Sequence, residues 1–372
     1  MTGPGKPGAA PATEILATIG PASIELIGAL FDAGLSGIRI NSSHGEPSFH
    51  ARAIELARAA RPEAYIIYDI KGPKIRLGDI PKPYVIKSGD RVVLRTDIPK
   101  PEGSDYPAVD DFGAGIPVTY PQLDEFVRPG DRLYIDDGYV GLSVERAGNG
   151  HIECVVLFGD VLRSRKGLNH PDTVVGYPYT MPQDLPDLEF AIRHGVDFLA
   201  DSFTRNADDV RELRQRLAGT GIGIISKIEN PEGINNFDEI LSETDAVMVA
   251  RGDLGVEMDP VTLPEMQKLM IEKCTLAGKP VITATQMLES MMENARPSRA
   301  DVSDIANALY DGTDVVMLSG ETSVGKFPVE CVRMMRRIAA YVEGTRRYRD
   351  RKREVRGLSA LRQGSDGRGD QA

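Results

Sequence analysis

The chain of 372 residues has no tryptophan, only 6% aromatic residues, three cysteines and five histidines. Each scarcity excludes something. Cys154, Cys274 and Cys331 are far apart, odd in number and form no CxxC pair. A disulfide framework is therefore not expected, and the three read as reduced thiols of a cytoplasmic chain. The histidines pair with no cysteine at zinc spacing, which removes the usual nitrogen and sulfur ligand set. No apolar run approaches the ~18–20 residues of a membrane span, and the opening MTGPGKPGAAPA lacks the apolar centre of a signal peptide. No GxGxxG follows a strand-like run, so a dinucleotide site has no support. The stretch from Gly320 to Lys326 nearly spells a P-loop, but Phe327 stands where Ser or Thr is needed and Glu321 puts an acid in the loop. Positive charge is short as well: 44 Lys and Arg against 55 Asp and Glu leave −11. That balance argues against nucleic acid or a membrane surface as partner, yet allows an anionic substrate in a locally basic pocket.

The charge that is present is unevenly spread. From Gly344 onward nine basic and four acidic residues give the tail +5, leaving −16 for the rest. Along the body, short β-branched runs alternate with amphipathic stretches. Eight runs stand out: 13–20, 36–42, 64–70, 198–203, 222–229, 246–252, 280–286 and 315–320. Most are near-continuously apolar, as parallel strands buried on both faces must be. Several intervening segments end in glycine, a helix C-terminal signal. Eight strand–helix units are what a (β/α)8 TIM barrel requires, an α/β fold. After Pro73 the rhythm changes for about 100 residues to strands punctuated by Gly-Asp, Pro-Gly and Gly-Asn-Gly, the pattern of antiparallel β-structure. The expected organisation is a flexible N-terminus (1–12), a barrel in two parts (13–72 and 177–345), an antiparallel β lid domain inserted after strand 3 (73–176), and a basic helical extension with a flexible tail (346–372).

In such a barrel, polar residues at the C-terminal strand ends suggest chemistry. Here strand 2 ends in Arg39, Asn41 and Ser43, strand 3 in Asp69 and Lys71, and strand 4 in Ser202. Strand 5 ends in Lys227 and Glu229, strand 6 in Arg251, Gly252 and Asp253, strand 7 in Thr285 and Gln286, and strand 8 in Ser319 and Glu321. Glu229 and Asp253 offer hard oxygens to Mg²⁺ or Mn²⁺, which takes one or two carboxylates plus substrate oxygens and water. Arg39, Lys71, Arg76 and Lys227 add cations. Together they suit a substrate that is both metal chelate and phosphate.

These residues lie in motifs: TIGPAS (18–23), RINSSHG (39–45), DIKGPKIR (69–76), SKIENPEG (226–233), MVARGDLGVE (248–257), PVITATQMLESM (280–291), RPSRADVSDIANA (296–308) and VMLSGETSVGKFP (316–328), with IDDG (135–138) and KGLN (166–169) between. In order and content they resemble the pyruvate kinase family over roughly residues 13–343. The resemblance implies a barrel with a β-domain after strand 3, and glycolytic phosphoryl transfer from phosphoenolpyruvate to ADP, giving pyruvate and ATP. It further implies that Glu229 and Asp253 hold the divalent metal and that Lys227 stabilises the phosphoryl group and the enolate. Arg39 would bind the phosphoryl group. Gly252, Asp253, Ser202 and Thr285 would complete the substrate site. Arg76, His44, Lys166, Asn41 and Pro21 would meet the nucleotide, while Thr285, Ser319 and Glu321 are candidates for delivering the final proton. Many members need K⁺ at positions equivalent to Asn41, Ser43, Asp69 and Ile70. Here Lys74 replaces a common Glu, and Ile70 and Leu77 replace threonines, so the resemblance implies that the Lys74 ammonium substitutes for K⁺. Typical members continue into a C-terminal effector domain. Its residues find no counterpart here, so control through that domain is not expected, whereas a homo-oligomer is. Two other readings remain: a metal-dependent lyase or aldolase working through a pyruvate enolate, and a non-catalytic paralogue.

Overall fold

The computed structural model describes residues 13–80, 82–97, 115–176 and 184–350. Expectations for residues 1–12, and for the tail beyond residue 350, lie outside the described residues. Eight parallel strands close into a barrel: β1 (Glu14–Thr18), β2 (Gly37–Asn41), β3 (Tyr65–Asp69), then, after the inserted domain, five more. The inserted strands are β4 (Tyr84–Val85), β5 (Arg91–Arg95), β6 (Ile116–Pro117), β7 (Arg132–Ile135), β8 (Val140–Gly148), β9 (His151–Phe158), β10 (Val161–Leu162) and β11 (Leu168–Asn169). The barrel resumes with β12 (Phe198–Asp201), β13 (Gly223–Ile228), β14 (Ala246–Ala250), β15 (Val281–Ala284) and β16 (Val315–Leu318). Around the ring the order is β1-β16-β15-β14-β13-β12-β3-β2.

Strand apolarity follows from double burial. In β14, Met248 and Ala250 point into the barrel with Leu16, Ile67, Ile225, Ile282 and Met317, while Val247 and Val249 face the surrounding helices. A parallel strand with two dry faces has no use for alternation. The helices end as their sequences dictate. Ser298 and Asp301 form a reciprocal capping box on Arg299–Asp311, and Gly195, Gly278 and Gly312 take left-handed C-terminal conformations. Among the described residues, no helix is long and apolar enough to cross a membrane.

The inserted domain is a six-stranded sheet, β11-β7-β8-β9-β5-β6, beside a β10-β4 pair, and it has its own core around Leu94, Leu133, Leu142 and Ile152. The chain leaves the barrel at Gly72 and returns at Asp184, and these two points touch: the Gly72 N–H donates to Asp184 Oδ1 at 3.1 Å. At Gly72 φ is +62°, and a Cβ would lie 2.6 Å from the Ser202 carbonyl oxygen, so only glycine fits.

Candidate active site

At the C-terminal mouth of the barrel, side chains from β2, β3 and β12–β16 share a cavity of about 390 Å³ with residues of the inserted domain. Its centre is an ionic knot. Asp69 is fully buried; Oδ2 accepts from Arg39 Nε at 2.9 Å and Nη2 at 2.7 Å, and Oδ1 from Lys227 Nζ at 3.1 Å. Ser202 Oγ donates to the same Oδ1 at 3.1 Å and accepts from Lys227 at 2.7 Å. Lys227 also lies 3.1 Å from Glu229 Oε1, and Glu229 Oε2 accepts the Phe203 N–H at 2.9 Å.

Burial pushes the Asp69 carboxyl up, but the charges of Arg39 and Lys227 outweigh it and hold the group below the usual carboxylate range. Burial likewise disfavours the Lys227 ammonium, yet Asp69 and Glu229 hold it above the ordinary lysine value, so it stays charged. Glu229 is raised by burial, partly relieved by Lys227 and pushed further by Asp253 and Asp69. A buried carboxylate facing another in this way gains from an added cation. Glu229 and Asp253 both line the cavity, two hard carboxylates whose oxygens suit Mg²⁺ or Mn²⁺ completed by substrate and water oxygens.

Two hydroxyls mark where a substrate would sit. Thr285 Oγ1 and Ser319 Oγ are buried without hydrogen-bond partners, and both residues line the cavity. Thr285 (φ +71°) and Gln286 (φ +54°) hold left-handed backbone conformations after β15. Buried Arg251 fixes them by donating to the carbonyls of Ala284 at 3.2 Å and Thr285 at 2.5 Å, and it is itself paired with Asp304 at 2.7 Å. Strain of this kind persists only where neighbours over-determine it.

Most of the sequence-derived residues converge. Arg39, Asn41, Ser43, His44, Asp69, Lys74, Arg76, Lys166, Ser202, Lys227, Glu229, Gly252, Asp253, Thr285 and Ser319 all line the cavity. Pro21 instead lines an adjoining, more apolar cavity of about 660 Å³, which shares Arg39, Asn41, His44 and Ser319 and adds Phe49. His44 is held below its ordinary value by burial and by Arg76, Arg39 and Lys74, so it stands neutral at neutral pH.

Glu321, Ile70 and Lys74 each have well-defined surroundings. Glu321 is buried behind the cavity, and its carboxylate accepts the N–H groups of Leu288 at 2.9 Å and Ser319 at 2.7 Å, which makes it a brace for Ser319. Ile70 packs in the apolar layer outside the barrel. Lys74 shares the cavity with Asn41, Ser43 and Asp69, and its ammonium meets Asp253 Oδ1 at 2.5 Å and Asp137 at 4.0 Å. Lys166 pairs with Asp136 at 2.7 Å, and Lys71 with Asp187 at 2.8 Å. Sequence reading missed Asp137 and Arg165 as lining residues. IDDG pointed to that turn, where Asp136 and Asp137 both have positive φ, but no spacing rule gives their direction.

A closed parallel barrel whose strand ends converge two carboxylates, a buried lysine and several cations defines a (β/α)8 protein with a charged, cation-rich mouth. A family model described as "Pyruvate kinase, barrel domain" matches residues 10–332. The chain is 44% identical over 352 residues to a pyruvate kinase of Geobacillus stearothermophilus, covering 91% of this chain and 58% of that protein. It is 45% identical over 360 residues to one of Thermococcus litoralis, covering 94% and 72%. With pyruvate kinase PKLR of Homo sapiens it shares 44% over 377 residues, covering 96% and 64%. The chain belongs to the pyruvate kinase family. It spans about 58–72% of the length of these relatives.

Proposed function

We propose that the chain transfers the phosphoryl group of phosphoenolpyruvate to ADP. One observation carries the reading: Lys227, Glu229 and Asp253 converge on a cavity that also holds the two unpartnered hydroxyls of Thr285 and Ser319. In the transfer, the bond between phosphorus and the enol oxygen breaks while one forms to the terminal phosphate oxygen of ADP. The enolate left behind then takes a proton at its methylene carbon to become pyruvate. Such a step needs in-line positioning and charge stabilisation rather than covalent catalysis. Arg39 and Lys227 meet the transferring group and the developing enolate charge, with Asp69 and Ser202 fixing both cations. Glu229 and Asp253 would hold Mg²⁺ or Mn²⁺, which supplies Lewis-acid charge neutralisation when bound. Thr285 orients the carboxylate beside Gly252, and Thr285, or a relay through Ser319 and Glu321, passes the final proton. Arg76, His44, Lys166, Asn41 and Pro21 flank the nucleotide.

A coupled assay of ADP-dependent pyruvate formation tests the reading. Lys227→Met should lower kcat by at least about 10³-fold, the scale of losing a preorganised charge at the reacting centre. Pyruvate release without ADP would instead favour lyase chemistry. Lys74 also supports K⁺-independent turnover, since it places a fixed positive charge in the cavity that Asn41, Ser43 and Asp69 line. Rates in Na⁺-free buffer should be the same with and without K⁺; strong activation by K⁺ would overturn this.

A further inference from the structure

Two contacts that fix the reacting groups come from one short turn. Ser202 Oγ accepts from Lys227 Nζ at 2.7 Å, and the Phe203 N–H donates to Glu229 Oε2 at 2.9 Å. Phe203 sits at φ +60°, a left-handed conformation that a bulky residue holds only under outside constraint. Asp201 precedes this turn and Thr204 closes it, both buried. Thr204 Oγ1 lies 2.6 Å from Asp201 Oδ2 and 3.1 Å from the Asp201 carbonyl oxygen, so one hydroxyl ties the turn's end to both its side-chain and main-chain start.

The acid is not there for packing. The adjoining strand residues Leu199 and Ala200 are apolar and buried, and an apolar residue would fill the place at lower cost. Asp201 Oδ1 has no hydrogen-bond partner. Burial pushes its carboxyl well above the ordinary range, with the Thr204 hydroxyl opposing in part. Of the charges acting on it, Asp209 and Glu229 disfavour ionisation and Lys227 favours it. Burial thus favours the neutral acid, which bonds Thr204 without adding a negative charge near Glu229.

We propose that Asp201 is a positioning residue: with Thr204 it clasps the Ser202–Phe203 turn, and so holds the Ser202 hydroxyl against Lys227 and the Phe203 amide against Glu229. The consequence for turnover rests on the phosphoryl-transfer reading; the consequence for the Glu229 carboxylate does not.

The test uses the full chain with Asp201→Ala, Asp201→Asn, Thr204→Val and the Ala/Val double variant. It has two readouts: kinetics with phosphoenolpyruvate and ADP, and Mn²⁺ binding to the free protein by electron paramagnetic resonance. Asp201→Ala should lower kcat at least tenfold and weaken Mn²⁺ binding at least threefold. Asp201→Asn keeps a neutral acceptor for Thr204 and should recover both to within threefold of wild type. Thr204→Val should match Asp201→Ala, and the double variant should be no worse than either single one. Asp201→Ala within twofold of wild type in both readouts would overturn the proposal, as would losses that multiply in the double variant. If Asp201→Ala does not fold, Thr204→Val decides alone, and normal values there overturn the clasp. If the wild type transfers no phosphoryl group, the functional reading fails and the Mn²⁺ readout still decides this one.

Discussion

Asp69 and Asp201 are both fully buried at the ends of adjacent strands, and their surroundings drive them to opposite charge states. Arg39 and Lys227 outweigh burial at Asp69 and hold it below the usual carboxylate range, whereas at Asp201 burial, with Asp209 and Glu229, outweighs the Thr204 hydroxyl and Lys227 and holds the carboxyl well above it. The folded chain thus binds a proton at Asp201 that the unfolded chain releases above the ordinary value of 3.8. Stability must therefore fall as pH rises through that value toward the higher folded one, by up to about 1.4 kcal/mol per pH unit from this group. Asp201→Asn lacks that term, so its urea midpoint should gain on wild type as pH rises above 3.8 and level off once the folded carboxyl has ionised. A constant difference between the two proteins would contradict the assignment. Lys227 and Glu229 were legible in the sequence because a polar residue ending an apolar run in a barrel has few structural uses. The anion that binds Lys227 and Arg39 together was not legible as such. Asp69 could be placed at a strand end, but its partners come from strands 30 and 158 residues away along the chain. The direction of the Glu321 carboxylate was not legible for the same reason: strand-end position does not say whether it points into the mouth or, as here, at the Ser319 and Leu288 N–H groups.

Among the elements, the eight barrel strands were readable from composition alone, since each must be dry on both faces. The turns that follow them were not. Phe203, Thr285 and Gln286 adopt left-handed conformations in a sequence that offers no glycine there. Their cause is tertiary: Arg251 on the Ala284 and Thr285 carbonyls, and Glu229 on the Phe203 amide. Gly72 is the opposite case, a glycine whose need is visible only once Ser202 is beside it. Gly72→Ala would combine positive φ with a contact on the Ser202 carbonyl. It should destabilise the fold by about 1–3 kcal/mol, read as a lowered denaturation midpoint. Because Ser202 is the displaced neighbour, kcat should fall as well.

At the scale of the whole molecule, a chain of net charge −11 gathers Arg39, Lys71, Lys74, Arg76, Arg165, Lys166 and Lys227 around one cavity. Attraction for an anionic substrate is then local and short-ranged. With a Debye length of about 10 Å at 0.1 M salt and about 3 Å at 1 M, raising ionic strength should increase KM for the two proposed substrates, phosphoenolpyruvate and ADP, several-fold and leave kcat nearly unchanged. A kcat that falls in step with KM would place the salt effect on the chemistry instead. The contact between Gly72 and Asp184 carries a different consequence. A closed ring of strands whose interruption begins and ends where Gly72 and Asp184 meet treats residues 73–183 as a cassette. The ring does not need that segment to bridge a gap, so insertions of other lengths and architectures could be exchanged there without redrawing the barrel. Selection on what covers the barrel mouth is thereby uncoupled from selection on what builds it.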